Sequence, residues 1–292
     1  MKKLLVIGAQ NIDLYARSKS DYQLHDSNKS KIHLDFGGVA CNIATNLSIL
    51  GNEVNLLTVF GDDYFSELAK QNLIDLNIDF KESRIVKGVG NSIYLGVMDK
   101  TNDLFLGLND MEILNYLDVS FFKEKSGYIE SFDFLVIDNN LSTEALQFLL
   151  TTFKHKTIIM DAVSAAKASK LQNLLQYINL LKVNLLELNT LSREERISSS
   201  LNELLKFGVT SILLTNSDKE INYISMDRHI ITKPILIDNI ENATGAGDAF
   251  LSGFIHALIQ EESVEDCLET AKKVAYICLQ SPNATTQKNN GK

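Results

Sequence analysis

The chain has 292 residues, 45% hydrophobic and 22% charged, a composition that excludes bulk disorder, collagen-like repeats and a multi-span membrane protein. Its formal net charge of -9 argues against nucleic acid as a partner, because a phosphate backbone rewards clustered Lys and Arg. Three cysteines, Cys41, Cys267 and Cys278, stand without CxxC spacing, so zinc is not expected and the reading is a reducing, cytoplasmic compartment.

The first residues are "MKKLLVIGAQNID". Their apolar run ends at "LLVIG", short of the ~7–15 residues of a secretory apolar region, and reads as a buried first strand. No stretch approaches the ~20 apolar residues of a membrane span, so no membrane partner is expected. Short apolar runs then alternate with amphipathic helical patterns. "KLLVIG", "VNLLTVFG", "FDFLVID", "TIIMD", "INLLKVN" and "SILLTN" are strand candidates. "VACNIATNLSILG", "YFSELAKQNLIDLN", "STEALQFLLTTFK" and "SLNELLKFG" are helix candidates. This alternation predicts an α/β fold, a doubly wound, mostly parallel sheet with helices on both faces.

Two extended, half-apolar stretches interrupt that rhythm, residues 18–36 and residues 90–109, the second a hairpin turning at "DKTND". They read as a small β-sheet lid, the other reading being a decorative insertion. A few strands cannot bury themselves alone, so the lid must pack on a partner subunit or close over a ligand. Residues 1–292 read as one domain, with a polar tail expected to fray over 283–292.

Chemistry concentrates in "ENATGAGDAFLSGF", residues 241–254. After Asp248, the residues Phe250, Leu251, Phe254, Ile255 and Leu258 fall at helical spacing, so the glycine turn sits at a helix N-terminus. Free amides and the positive dipole end make that a natural anion site, and Gly245 and Gly247 let the backbone approach a phosphate. The motif is neither GxxxxGK[ST] nor GxGxxG. One reading makes Asp248 the cap of the helix. The other makes it the base of a phosphoryl transfer to an alcohol, with the amides stabilising the transferring group.

Other motifs carry the same ambiguity. In "FGGVACNIATNLSILG", residues 36–51, Gly37 and Gly38 open a helix with Val39, Ile43, Leu47 and Leu50 as its buried stripe. Asn42 and Asn46 share another face, either incidentally or because Asn42 donates to the hydroxyls of a small polyol. Asp13, just past the first strand, can accept two hydrogen bonds from a vicinal diol. "KVNLLE" places Asn184 three residues before Glu187, a near capping box that can also sit close to Mg2+ and its waters.

Together these pieces resemble the ribokinase-like (PfkB) family of small-molecule kinases over essentially the whole chain, most specifically in "GGVACN" followed by Gly51 and in "TGAGDAF". The resemblance implies a β-sheet lid, ATP with Mg2+ as phosphoryl donor and a sugar or nucleoside hydroxyl as acceptor. It implies Asp248 as base and Gly245, Ala246 and Gly247 as anion hole, with Thr244, Gly247, Asn184 and Thr215 on the nucleotide side. Asn184 and Glu187 organise the metal, while Asn11, Asp13, Gly37, Gly38 and Asn42 contact the acceptor. Within the family, "NIDL", "DSNKSKIHLDFGGVACNIA", "LNDM", "DNNLSTEAL" and "DAVSAAK" are similar to pseudouridine kinases, which adds Asn109, Asn140 and Lys167 as pocket residues. The implied reaction is phosphorylation of the pseudouridine 5′-hydroxyl. The projecting lid, for its part, is read as the contact of a homodimer.

The chain also departs from the family pattern. "LLTNSDKEINYI" lacks the glycine-rich turn common after a late strand, which keeps a weakly catalytic binding or regulatory protein in view. Another nucleoside or a free sugar remains the alternative acceptor. Asn242 stands where many members have an acidic residue tied to a monovalent cation, so a potassium site does not carry over.

Overall fold

The computed structural model describes residues 2–101, 103–237, 240–281 and 283–286. In chain order its strands are β1 (Leu4–Ile7), β2 (Asn11–Arg17), β3 (Lys31–Gly37), β4 (Val54–Leu57), β5 (Val59–Phe60), β6 (Arg84–Ile85) and β7 (Ile93–Met98). There follow β8 (Leu104–Asp110), β9 (Phe134–Asp138), β10 (Thr157–Asp161), β11 (Leu180–Asn184), β12 (Ser211–Asn216), β13 (Glu220–Ser225) and β14 (His229–Thr232). The helices are α1 (Val39–Ile49), α2 (Tyr64–Asp75), α3 (Val119–Glu124), α4 (Ser126–Glu130), α5 (Thr143–Thr152), α6 (Ala165–Ala168), α7 (Leu185–Leu191), α8 (Ile197–Lys206), α9 (Ala246–Ile259) and α10 (Val264–Leu279).

An eight-stranded sheet runs β14-β13-β12-β11-β10-β9-β1-β4, parallel from β4 to β12 and antiparallel beyond. Its parallel strands are mostly apolar because both faces are covered, with most of their polar residues gathered toward their C-terminal ends. Leu4, Val6, Val136, Ile159, Leu180 and Leu213 pack with residues of α1, α9 and α10. The alternating residues Leu5, Ile7, Leu135, Ile137, Met160 and Leu181 pack with α5, α7 and α8. The chain leaves β1 for β4 on one side and reaches β9 on the other, so β1 is a topological switch point, where ligands gather beyond the strand ends. The hairpin β13–β14 is an addition to the strands expected from the apolar runs.

The small sheet runs β3-β2-β7-β8, with an irregularity between Val97 and Met98. Its first strand occupies Asn11–Arg17, ahead of the expected start at 18, and residues 18–30 form the connection to β3. The period-2 alternation in "NIDLYAR" carries that strand, with Ile12, Leu14 and Ala16 on one face and Asp13, Tyr15 and Arg17 on the other. β8 is exposed along its whole length.

The expectation of a frayed tail fails at its beginning. Ala284 and Thr286 are buried, the Ala284 amide donates to Asp35 Oδ2 at 3.3 Å, and Thr286 donates twice to Asn46. Polarity there reflects buried hydrogen bonds. Residues 287–292 of the expected tail lie outside the described residues.

Candidate active site

Parallel register brings a row of charges to the C-terminal edge of the main sheet. Asp138 ends β9 opposite Asp161 of β10, and Asp161 lies opposite Lys182 of β11. One strand further, Asn184 lies opposite Thr215. Lys182 Nζ pairs with Asp161 Oδ2 at 3.1 Å, both side chains buried. Burial alone would discharge this ammonium, but Asp161, Glu187 and Asp248 together hold it firmly protonated. A lysine within an otherwise apolar parallel strand needs such carboxylates, and that was the available signal in "LLKVN" for a residue the motif reading missed.

Asp138 was missed as well. Its Oδ2 accepts from the amides of Ala9 and Ala40 at 2.9 and 3.1 Å and from Asn140 Nδ2 at 2.9 Å, while Oδ1 accepts from the Asn140 amide at 2.9 Å. The carboxylate thus ties β1 and α1 to the end of β9. Gly38 makes the approach possible. At φ +92° it begins α1, and a Cβ there would stand 2.5 Å from the Ala9 carbonyl oxygen.

The second glycine turn begins α9. Gly245, at φ +80°, is the N-cap and contributes no side-chain bond, and a Cβ on it would collide with the Ala284 carbonyl oxygen. Asp248 is therefore the third residue of the helix, and its reading as the cap is corrected. The first backbone bond of the helix runs from Ala249 N–H to Gly245 C=O at 2.8 Å. The amides of Ala246, Gly247 and Asp248 precede it and meet no protein acceptor among the described residues. Lys182 Nζ lies 2.9 Å from where a Gly247 Cβ would stand, so a positive charge flanks these amides.

Asp248 is buried and its Oδ2 accepts from Asn42 Nδ2 at 2.8 Å. Burial, and next the negative charge of Asp161, push its carboxyl up to about 7, against the opposing pull of Lys182 and Asn42. That makes it a far better base for a hydroxyl than an ordinary aspartate, near the pH at which it would act.

A cavity of about 610 Å³ opens in front of this cluster. Asn184, Glu187, Thr215 and the turn at 245–248 line it, together with Pro234, Ile235, Ala275, Tyr276 and Leu279. Its size and its mixed lining of apolar side chains and polar groups suit a small-molecule ligand. The "TNSDKE" segment forms the tight β12–β13 hairpin, in which Ser217 takes the positive φ of 50° that a glycine would otherwise supply. Thr244 is placed elsewhere, lining a neighbouring cleft of about 380 Å³ with Tyr15, Arg17, His33 and Asp35.

Asn184 and Glu187 form a complete capping box at the start of α7. Asn184 Oδ1 accepts from the Glu187 amide at 2.9 Å, and Glu187 Oε2 accepts from the Asn184 amide at 2.8 Å. Asn184 Nδ2 donates to the remaining Glu187 oxygen at 2.7 Å. Burial raises the Glu187 carboxyl, with Lys182 opposing. Each oxygen is thus already engaged, a donor set that fits a magnesium ion held through its waters better than direct ligation.

On the acceptor side, Asp13 is buried against Gly37 and is pushed up to about 7 by burial and by the nearby Asp35 charge. Its Oδ1 and the Oδ1 of Asn42 are buried without a hydrogen-bond partner among the described residues. Two such orphans are costly unless a ligand hydroxyl meets them. Asn11 is engaged, its Oδ1 accepting from Ser92 Oγ at 2.6 Å. Lys167 Nζ donates to Asn140 Oδ1, so these two stand together beside Asp138. Asn109 is not brought to this group; it is exposed on β8 and lines a separate depression with Asp110, Met111, Glu112 and Asn115.

Comparison with known proteins identifies the family and the fold. Residues 1–290 match the model of the pfkB family carbohydrate kinases. Pseudouridine kinase of Escherichia coli K12 is 31% identical over 257 residues, covering 86% of this chain and 82% of that protein. A carbohydrate kinase from Agrobacterium tumefaciens superposes with a TM-score of 0.87 at 27% identity, over 99% of this chain and 95% of the other. The fold is also that of Arabidopsis thaliana ribokinase complexed with ribose and ATP, TM-score 0.83 at 18% identity, covering 99% and 97% of the two chains. The chain belongs to the pfkB family of carbohydrate kinases.

Proposed function

We propose that this protein transfers a phosphoryl group from ATP to the 5′-hydroxyl of pseudouridine. The observation that carries the kinase reading is Asp248, a buried carboxylate raised to about 7 at a helix start whose first three amides have no acceptor among the described residues, beside the Lys182 ammonium. ATP, bound with Mg2+ in the cavity before α9, supplies the transferable phosphoryl group when present. Asp13 and Asn42 accept from acceptor hydroxyls through their orphaned oxygens and orient the reacting one toward Asp248. Asp248 Oδ takes the hydroxyl proton as the oxygen becomes nucleophilic. The amides of Ala246, Gly247 and Asp248 and the Lys182 ammonium face the negative charge that develops. Asn184 and Glu187 would hold a magnesium ion near the phosphates, where it would neutralise charge on the donor.

Pseudouridine as acceptor is supported by the 31% identity to the E. coli enzyme and by Asn140 and Lys167 standing together at the strand ends. The exposed position of Asn109 favours the second reading, a kinase of another nucleoside or a free sugar. In the described residues no helix is long and apolar enough to cross a membrane, and the three cysteines are free and buried, which supports a reducing compartment. Leu104, Phe105, Leu106 and Leu108 of β8 are exposed, and a homodimer through the lid would cover them. The test is turnover with ATP and Mg2+ on pseudouridine, uridine, ribose and fructose side by side. Phosphorylation of pseudouridine far above the others is expected; preference for a free sugar discards the acceptor but keeps the kinase, and no turnover on any of them discards both.

A further inference from the structure

Residues 283–286 touch three separate elements, the turn before α9, the lid strand β3 and helix α1. The Ala284 carbonyl occupies the space that a Cβ at Gly245 would need, against the turn that begins α9. The Ala284 amide reaches Asp35 of the lid strand β3 at 3.3 Å. The Thr286 amide and hydroxyl both donate to Asn46 Oδ1 at 2.9 Å.

Asn46 passes this contact on. It is fully buried on α1, and its Nδ2 donates to the Asn42 carbonyl at 2.9 Å. Asn42 in turn donates to Asp248 Oδ2 at 2.8 Å. Thr286 thus holds the Asn46 side chain, Asn46 holds the main-chain carbonyl of Asn42, and the Asn42 side chain holds the carboxylate assigned as base, so the link passes through the backbone of α1 at residue 42. An amide at a fully buried helix position is costly unless every polar atom is met, and here the partner comes from 240 residues away. Burial at position 46 would be served equally by an apolar residue, so what the polar side chain adds is a defined geometry. Satisfied buried networks of this kind hold their members rigid.

We propose that residues 283–286 form a strap that positions the start of α9 and the Asn42–Asp248 pair, with Asn46 and Thr286 as positioning residues that touch no substrate. The strap lies against both the lid and the anion-binding turn, so it fixes the catalytic helix relative to the lid strand that carries Asp35. Loss of the strap therefore acts on the reacting geometry more than on the affinity for either substrate. The kinetic half of this proposal rests on the kinase reading; the structural half does not.

The test combines kinetics with amide hydrogen exchange in Thr286→Val, Thr286→Ser and Asn46→Ala. Valine is nearly isosteric with threonine and removes only the hydroxyl donor, so the fold is kept if the alanine variant proves too disruptive. Expected for Thr286→Val is faster exchange in a peptide covering 243–250, unchanged exchange in one covering 134–152, and kcat lower by about three- to tenfold with both KM values within twofold. Thr286→Ser restores both readouts. Unchanged exchange over 243–250 in both Thr286→Val and Asn46→Ala overturns the strap, and so does a loss expressed in KM alone. If wild-type protein turns over none of the acceptors, exchange over 243–250 still decides the strap, while the kinase reading fails by itself.

Discussion

Two helices in this molecule begin on a glycine of positive φ with no side-chain cap, and they are completed differently. At α1, after Gly38, an internal carboxylate fills the space: Asp138 Oδ2 accepts from the Ala40 amide. At α9, after Gly245, no protein group meets the amides of Ala246, Gly247 and Asp248 among the described residues. A helix start on a positive-φ glycine is therefore structural in one place and open to a ligand anion in the other. What separates them lies in the neighbouring strands: β9 sends a carboxylate to α1, whereas β11 sends the Lys182 ammonium to α9. An anion placed permanently at α9 would neutralise the field that a transferring phosphoryl group needs.

The largest effect tests the base at the open helix start. Asp248→Asn keeps the shape and retains substrate binding, while turnover should fall by ~10²–10⁴ or more, the scale of a general base. Near-wild-type turnover would remove Asp248 from its role. Next comes the contrast between the two helix starts. Gly245→Ala meets both a positive φ and the Ala284 carbonyl, so it displaces the anion-binding turn and should cost roughly 10²-fold in kcat, with a smaller loss of thermal stability. Asp138→Asn should show the opposite weighting. An amide nitrogen there faces donors, leaving amides of Ala9, Ala40 or Asn140 unmet, at a cost of about 1–3 kcal/mol in unfolding free energy. If Asp138→Asn loses more kcat than Gly245→Ala while unfolding at the wild-type temperature, the division between structural and catalytic helix starts is wrong.

The same contrast shows what can be read from sequence. The "TGAGDAF" turn is legible because glycines, a carboxylate and helical apolar spacing are adjacent in the chain. The parallel strands are legible because burial on both faces makes them continuous apolar runs. Asp138, Asp161 and Lys182 are not, since each is a single charge in or at the end of an apolar run. Their meeting depends on the register of β9, β10 and β11, which no local pattern reveals. The strand Asn11–Arg17 escapes notice because Asp13 resembles a loop carboxylate just past β1, which hides the alternation around it. Residues 283–286 mislead because polar residues ordinarily mean solvent, whereas here Asn46 and Asp35 receive them. Asn42 is legible as a site residue, but its hydrogen bond to Asp248 joins residues 206 apart and belongs to the packing of α1 on α9.

The smallest effect is also the most specific to the electrostatics around α9. Burial raises the carboxyls of Asp13 and Asp248 from 3.8 to about 7, with Asp35 adding to the first and Asp161 to the second. Between roughly pH 4 and 7 the folded protein then holds more protons than the unfolded chain, so the slope of unfolding free energy against pH is negative. These two groups make the ligand-free protein more stable as pH falls from 7 toward 4. Turnover must run the other way, because the base works only when ionised, and kcat should fall as pH drops through about 7. The measurement is a pair of pH series, thermal unfolding without ligands and kcat at saturating substrates, on wild type and Asp248→Asn. The substitution should flatten part of the stability slope, since a carboxamide in that place cannot titrate and the Asp161–Lys182 pair beside it remains. An acid limb of kcat near pH 4, or identical stability slopes in the two proteins, would mean that Asp248 is ordinary in its acidity and that burial does not tune it.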